Sequence, residues 1–165
     1  MILVALGSNL PGPAGTPAQA LAAACQSMAA KGIAVTESSR IWLSAPVPAS
    51  DQPWYCNAVV RVETRLPADR LMAALKDIEI SLGRVRIKKN EARVLDLDLV
   101  ACNDDVLESP DLVLPHPRLH QRAFVLMPLR EVAPDWVHPV LNASVDDLIA
   151  ALPPGQEIKP GGALL

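Results

Sequence analysis

Between Gly83 and Asp98 the chain reads GRVRIKKNEARVLDLD, in which five basic side chains (Arg84, Arg86, Lys88, Lys89 and Arg93) run into two carboxylates, Asp96 and Asp98. Successive side chains of an extended strand point to opposite faces, so Asp96 and Asp98 share one face while Leu95, Leu97 and Leu99 share the other. The leucines face a core. Two ionised carboxylates side by side repel each other unless a hard dication sits between them, and Mg²⁺ is commonly held by one or two carboxylates together with phosphate oxygens. The stretch therefore predicts a strand with a metal-binding face, preceded by arginines that hold phosphates.

Upstream of this strand, Pro67 followed by Leu71, Leu75, Ile78 and Leu82 at helical spacing, with Gly83 as a stop, predicts an amphipathic helix that delivers the chain into the basic loop. Before it, Cys56, Ala58, Val60 and Val62 alternate with Asn57, Val59, Arg61 and Glu63, the pattern of a strand over Cys56 to Thr64. The segment from Leu43 to Pro53 carries Pro46, Pro48 and Pro53 and reads as a stiffened loop after an extended Ile33 to Trp42. Thr16 as N-cap, Pro17 at the first helical position and Leu21, Cys25 and Met28 at helical spacing predict a first helix from Pro17 to Lys31, stopped by Gly32. Ile2 to Leu6 is a short apolar run of the kind found in a strand buried on both faces, and Gly7-Ser8-Asn9 turns the chain after it.

Downstream, Asn103-Asp104-Asp105 is a turn, and Val106-Leu107 or Leu112 to Leu114 suit short strands flanking Ser109-Pro110. Pro115-His116-Pro117 breaks the chain, Gln121 to Met127 can form a short helix, and Pro128 kinks it or begins a turn. Ser144 with Asp147 is a capping box opening a last helix to Leu152, which Pro153-Pro154 stops. The order β-α-β-β-α-β with a C-terminal extension predicts an α+β fold of ferredoxin-like type: an antiparallel sheet with helices on one face and the other face free to carry a site. Residues 1–152 are expected to form a single domain and residues 153–165 a poorly ordered tail.

At 165 residues the chain suits one core rather than two. Half of it is hydrophobic, with one Phe and one Tyr, so the core is aliphatic and the placement of each aromatic is informative. A net charge of −3 argues against a general polyanion binder, but a local basic loop on an acidic body is enough for a polyphosphate. Cys25, Cys56 and Cys102 are odd in number and in no metal-ligand spacing, which favours reduced thiols filling the core of a cytoplasmic protein. The opening MILVAL run has no positive segment before it and reads as no signal peptide, and no apolar run is long enough to cross a bilayer. A monomer acting on small molecules, not on nucleic acid or a membrane, is the expectation.

Taken together and in order, GSNL, DQPWYCNAVV, GRVR, RVLDLDLV and LPHPRLHQRAFVLMPLREVAP resemble the 6-hydroxymethyl-7,8-dihydropterin pyrophosphokinase family of folate biosynthesis, over roughly Met1 to Asp135. The resemblance implies transfer of pyrophosphate from ATP to the hydroxymethyl group of the reduced pterin, leaving AMP. It also implies two Mg²⁺ ions on Asp96 and Asp98. Arg84, Arg86 and Arg93 match contacts to ATP, with Arg84 and Arg93 beside the two aspartates in the catalytic group; His116 and Arg122 match further phosphate contacts. Glu79 matches a residue near the adenosine, although its place on an amphipathic helix equally suits an ordinary exposed Glu. Lys88 and Lys89 read as solvated cations. A flat polar heterocycle needs aromatic faces and an amide to read its edge; Tyr55, Asn57 and Phe124 match those roles, and Ser44, Ala45 and Val47 match the loop that closes over the ring. Trp54 reads as a packing residue.

In one segment the chain departs from the family pattern. Many members carry Arg-Trp-Gly-Pro between the GRVR arginines and the arginine of the LDLD strand, where this chain has IKKNEA, one residue shorter and without the Trp. A lid over Ile87 to Ala92 must close by other means, and Pro117 after His116 removes a side-chain donor. Two other readings stay open on the sequence: a relative that binds pterin or nucleotide without turnover, and an RNA-binding module. Against the last, RNA recognition on such a sheet stacks bases on strand aromatics, of which this chain has few.

Overall fold

The computed structural model describes residues 1–83 and 92–165, so Arg84, Arg86, Lys88 and Lys89 lie outside the described residues. Strand β1 (Ile2–Ser8) is central, pairing antiparallel with β4 (Tyr55–Glu63) on one side and with β5 (Asp96–Cys102) on the other. The outer edge of β4 takes two short strands in succession, β2 (Ala34–Ser38) and β3 (Trp42–Ser44). Between them Ser39 keeps the ladder intact: its N–H donates to the Val59 carbonyl at 2.9 Å and its Oγ accepts from the Val59 N–H at 3.0 Å.

Helix α1 (Pro17–Ala30) begins where the sequence places it, closed by a capping box in which Thr16 and Gln19 satisfy each other's backbone N–H groups. Helix α2 (Ala68–Ser81) ends at Gly83, whose φ of +99° suits a residue without a Cβ; a Cβ there would meet the Pro13 ring at 2.7 Å. Leu71, Leu75 and Ile78 of α2 and Leu21 and Met28 of α1 pack on Val4, Leu6, Val60, Val62, Leu97 and Leu99 of the sheet. Full burial of such a side chain is worth about 1.5–3 kcal/mol, so three from α2 outweigh the marginal stability of an isolated helix of this length.

The opposite face differs from the expectation. Helices α3 (Ala123–Val132) and α4 (Val145–Ala150), both from the C-terminal extension, cover part of it, with Val125, Leu126, Leu129, Val145 and Leu148 packed on Leu3, Val59 and Val100. Helix α3 runs through Pro128, whose ring is buried; the proline removes the N–H that the Phe124 carbonyl would otherwise meet. Leu107–Glu108 (β6) and Val113–Leu114 (β7) form a small separate hairpin, as two short strands around Ser109-Pro110. A second difference is the tail. Residues after Pro154 return to the main sheet as β8 (Ile158–Pro160), paired antiparallel with β3, and continue along Ile41 through Gly161 and Gly162. Main-chain pairing to an open sheet edge is a signal that composition does not carry, which is why a Pro- and Gly-rich tail reads as disordered.

Candidate active site

The register of the sheet determines what the uncovered end of the second face displays. Gly7 of β1 lies opposite Asn57 of β4 and Asp96 of β5, and Ala5 lies opposite Val59 and Asp98. Paired residues share a face, so Asp96 and Asp98 project from one side of a floor made by Ala5 and Gly7, and Asn57 from the other. A cleft above this floor is lined by Ser44, Ala45, Val47, Tyr55, Asn57 and Phe124, together with Arg93, Asp96, Asp98 and Arg122. Ten residues singled out from the sequence therefore meet in one place.

The aspartate side is held by short polar contacts. Arg93 Nη1 meets Asp96 Oδ2 at 2.6 Å, both side chains being about one-fifth exposed. The Arg93 backbone is clamped by Asn9: the Arg93 N–H donates to Asn9 Oδ1 at 2.7 Å, and the Asn9 and Leu10 N–H groups donate to the Arg93 carbonyl. Asn9 Nδ2 reaches on to Gln52 Oε1 and to the Pro53 carbonyl. One buried asparagine thus ties the turn after β1 to the proline-rich loop and to the entrance of β5. From the sequence Asn9 reads only as the end of a turn; the one signal of its clamping role is an amide side chain immediately after a buried strand.

On the other side, Asn57 Nδ2 donates to Ser44 Oγ at 2.8 Å and to the Trp42 carbonyl at 3.1 Å. Its amide plane is thereby fixed, with the oxygen turned toward Gly7. Burial pushes the Tyr55 phenol above its ordinary range, with Arg93 opposing and Asp96 adding to the shift, so the ring stays neutral beside the charged group. The Arg122 guanidinium lies 5.4 Å from the centre of the Phe124 ring. Burial pulls its pKa down from the ordinary value while Asp98 opposes, and an arginine remains cationic under such a pull.

His116 lines a second cavity with Met72, Leu112 and Pro117, and Asp98 borders both cavities. Burial first, then the Arg122 charge, hold His116 down to about 4, so it is neutral near pH 7. Its Nδ1 accepts from the Arg118 N–H at 3.2 Å, which leaves the proton on Nε2 as a neutral donor. Glu79, matched to a residue near the adenosine and equally suited to an exposed place on its helix, is buried behind β5, where Oε2 accepts the Leu97 N–H at 2.7 Å. It supports the aspartate strand from the core side. Trp54 differs from the expectation, being 40% exposed with Lys159 Nζ 5.2 Å from its ring centre.

Among the described residues no group of three or more His, Cys, Asp or Glu side chains is placed to hold a metal alone. Two carboxylates on one strand face, with an arginine beside them, fit Mg²⁺ in the manner that leaves its remaining positions to phosphate oxygens and water.

Against this geometry, the sequence model of the family described as 7,8-dihydro-6-hydroxymethylpterin-pyrophosphokinase matches residues 3–134. The chain belongs to that family. Among relatives, the 2-amino-4-hydroxy-6-hydroxymethyldihydropteridine pyrophosphokinase of Pseudomonas aeruginosa is 38% identical over 161 residues, covering 97% of each chain. That of Haemophilus influenzae is 37% identical over 82% of this chain and 83% of its own. The folic acid synthesis protein fol1 of Pneumocystis carinii is 38% identical, but the chain spans only 19% of its length. In fold, wild-type HPPK-DHPS of Plasmodium falciparum matches 91% of this chain and 44% of its own, with a TM-score of 0.65 at 13% identity. Within the pyrophosphokinase family, then, the matched span ends just after α3, while α4, β8 and the segment between them lie beyond it.

Proposed function

We propose that this pyrophosphokinase transfers the pyrophosphoryl group of ATP to the hydroxymethyl oxygen of 6-hydroxymethyl-7,8-dihydropterin inside the cleft described above, releasing AMP. The observation that carries the assignment is the junction at Asp98, which borders both the cleft lined by Tyr55, Asn57 and Phe124 and the cavity lined by His116. Tyr55 and Phe124 supply faces for the flat pterin, Asn57 reads its edge through a fixed amide, and Ser44, Ala45 and Val47 form the wall above it. Arg93, Arg122 and the Nε2–H of His116 face the triphosphate, and Arg84 and Arg86, outside the described residues, are assigned to it by the family resemblance. Glu79 acts on the nucleotide side indirectly, by holding the backbone of Leu97.

Asp96 and Asp98 would hold Mg²⁺, two ions in the fullest form of the reading. When bound, the metal neutralises phosphate charge and lowers the pKa of the attacking hydroxyl. The chain's own residues position the reactants: phosphoryl transfer leaves the protein little covalent chemistry beyond alignment and charge neutralisation. The new bond joins the hydroxymethyl oxygen to the β-phosphorus as the bond from that phosphorus to the AMP oxygen breaks, and the hydroxyl proton leaves to solvent.

Supplying ATP, Mg²⁺ and the hydroxymethyl pterin and following AMP tests the reading directly. Equimolar AMP and pterin diphosphate are expected. ADP as the nucleotide product, or tight binding of both substrates with no AMP formed, would refute it, the second result describing a relative that binds without turnover.

A further inference from the structure

The segment after Pro154 lies beyond the residues that the family's sequence model matches, yet it touches both walls of the cleft. Helix α3 starts at Ala123, and the preceding Arg122 makes no side-chain cap. A helix start leaves N–H groups without intrahelical partners, and here a distant side chain takes one: Gln156 Oε1 accepts the Ala123 N–H at 2.8 Å. Gln156 Nε2 in turn donates to the carbonyls of Gln121 at 3.0 Å and Pro153 at 3.2 Å. Gln156 therefore grips the peptides on either side of Arg122, two residues before Phe124.

The next residue grips the other wall. The Glu157 carbonyl accepts the Ala45 N–H at 3.1 Å, and Ile158 then pairs with Ser44. Lys159 then lies over Trp54, in the loop that carries Gln52 and leads into Tyr55 at the start of β4. Adjacent tail residues thus hold Phe124 on one side and Ser44-Ala45 on the other.

We propose that the C-terminal segment sets the width of the pterin cleft, with Gln156 as a positioning residue that fixes Arg122 and Phe124 against the Ser44-Ala45 wall. This deepens the functional reading above and rests on it. Gln156 touches no reacting atom; it acts through the start of α3, and a stacked ring is sensitive to small errors in wall spacing.

The test compares Gln156→Met, which keeps volume but makes none of the three hydrogen bonds, with Gln156→Glu, which keeps the oxygen that accepts from Ala123. For Gln156→Met the pterin KM and the directly measured pterin Kd are expected to rise about tenfold, with a smaller rise, about threefold at most, in the ATP KM through Arg122. Gln156→Glu is expected to recover most of that loss. Amide exchange at Ala123 and Ala45 reads the tether without turnover, and both should speed up in Gln156→Met while Val4 in the core does not. A pterin KM unchanged in Gln156→Met, a parallel rise in both KM values, or unaltered exchange at the two amides would overturn the proposal. Wild-type protein assayed alongside separates the two readings: failure to form AMP there refutes the pyrophosphokinase assignment, whereas the exchange result bears on the tether alone.

Discussion

The two walls of the cleft are built on different principles. The charged wall is local: Arg93, Asp96 and Asp98 sit within six consecutive positions at the head of β5, and strand geometry alone puts both carboxylates on one face. The wall proposed to hold the ring is assembled from β3 and its following loop, β4 and α3, elements joined only by tertiary contacts. A local site tolerates small shifts in the rest of the fold, because its parts move together. A composite one inherits every error in how its elements dock, and Glu131 and Gln156 brace it, while Asn9 ties its proline-rich loop to the Arg93 end of the charged wall. Glu131 illustrates the point at the far end of α3, where its carboxylate takes Trp42 Nε1 at 2.6 Å and the Arg40 backbone N–H at 3.1 Å.

The largest effect is expected on the charged wall. Asp96→Asn or Asp98→Asn keeps the shape of the strand but removes the charge a dication needs, and turnover should fall by about two or more orders of magnitude with little change in melting temperature. Near-normal turnover in either variant would remove the metal assignment and with it the contrast between the walls.

On the other wall the loss should be partial and confined to one substrate. Phe124→Ala removes an aromatic face and its buried area, which corresponds to roughly 1 to 3 kcal/mol of pterin affinity. ATP affinity should change far less. Equal losses for both ligands, measured by calorimetry, would mean that the two walls are not functionally separate.

A smaller effect concerns pH. His116 is held down to about 4 in the folded protein, against about 6.5 for an unperturbed histidine. Between those values the unfolded chain binds a proton that the folded one refuses, so stability present above pH 6.5 is lost as the pH falls toward 4. For protein without ATP or metal, the decline from this residue should be roughly 1 to 2 kcal/mol after allowing for its partial exposure. His116→Gln should flatten that part of the curve in denaturant titrations, and identical curves for the two proteins would contradict a neutral, half-buried His116.

The smallest change is a control placed behind the sheet. Thr16→Ala removes the cap of α1 and should cost about 1 kcal/mol of stability. Kinetic constants for both substrates should stay as they are; a change in pterin KM would show that the composite wall responds even to the opposite layer.

How far the molecule was legible depended on the range of the interaction. The LDLDL strand, both amphipathic helices, the Thr16 N-cap and the Ser144 capping box follow from periods and caps written in adjacent residues, and they stand where the pattern puts them. Glu79 was not legible, because period alone cannot distinguish a solvated carboxylate from one turned inward to meet the N–H of Leu97. Its burial depends on the neighbouring strand.

By itself, the sequence determined that Asp96 and Asp98 share a face opposite the leucines, since alternation in a strand is a property of the backbone. It also supplied the order of elements and, through its motifs, the family. Only the tertiary structure decided that α3 and α4 cover the second face, that Gly7 places Asn57 and Asp96 on opposite sides of one floor, and that the tail closes the edge of the sheet against β3. Those results rest on backbone hydrogen bonds and side-chain packing between segments far apart in the chain. Such contacts satisfy groups that any residue carries, and so leave little mark in residue type.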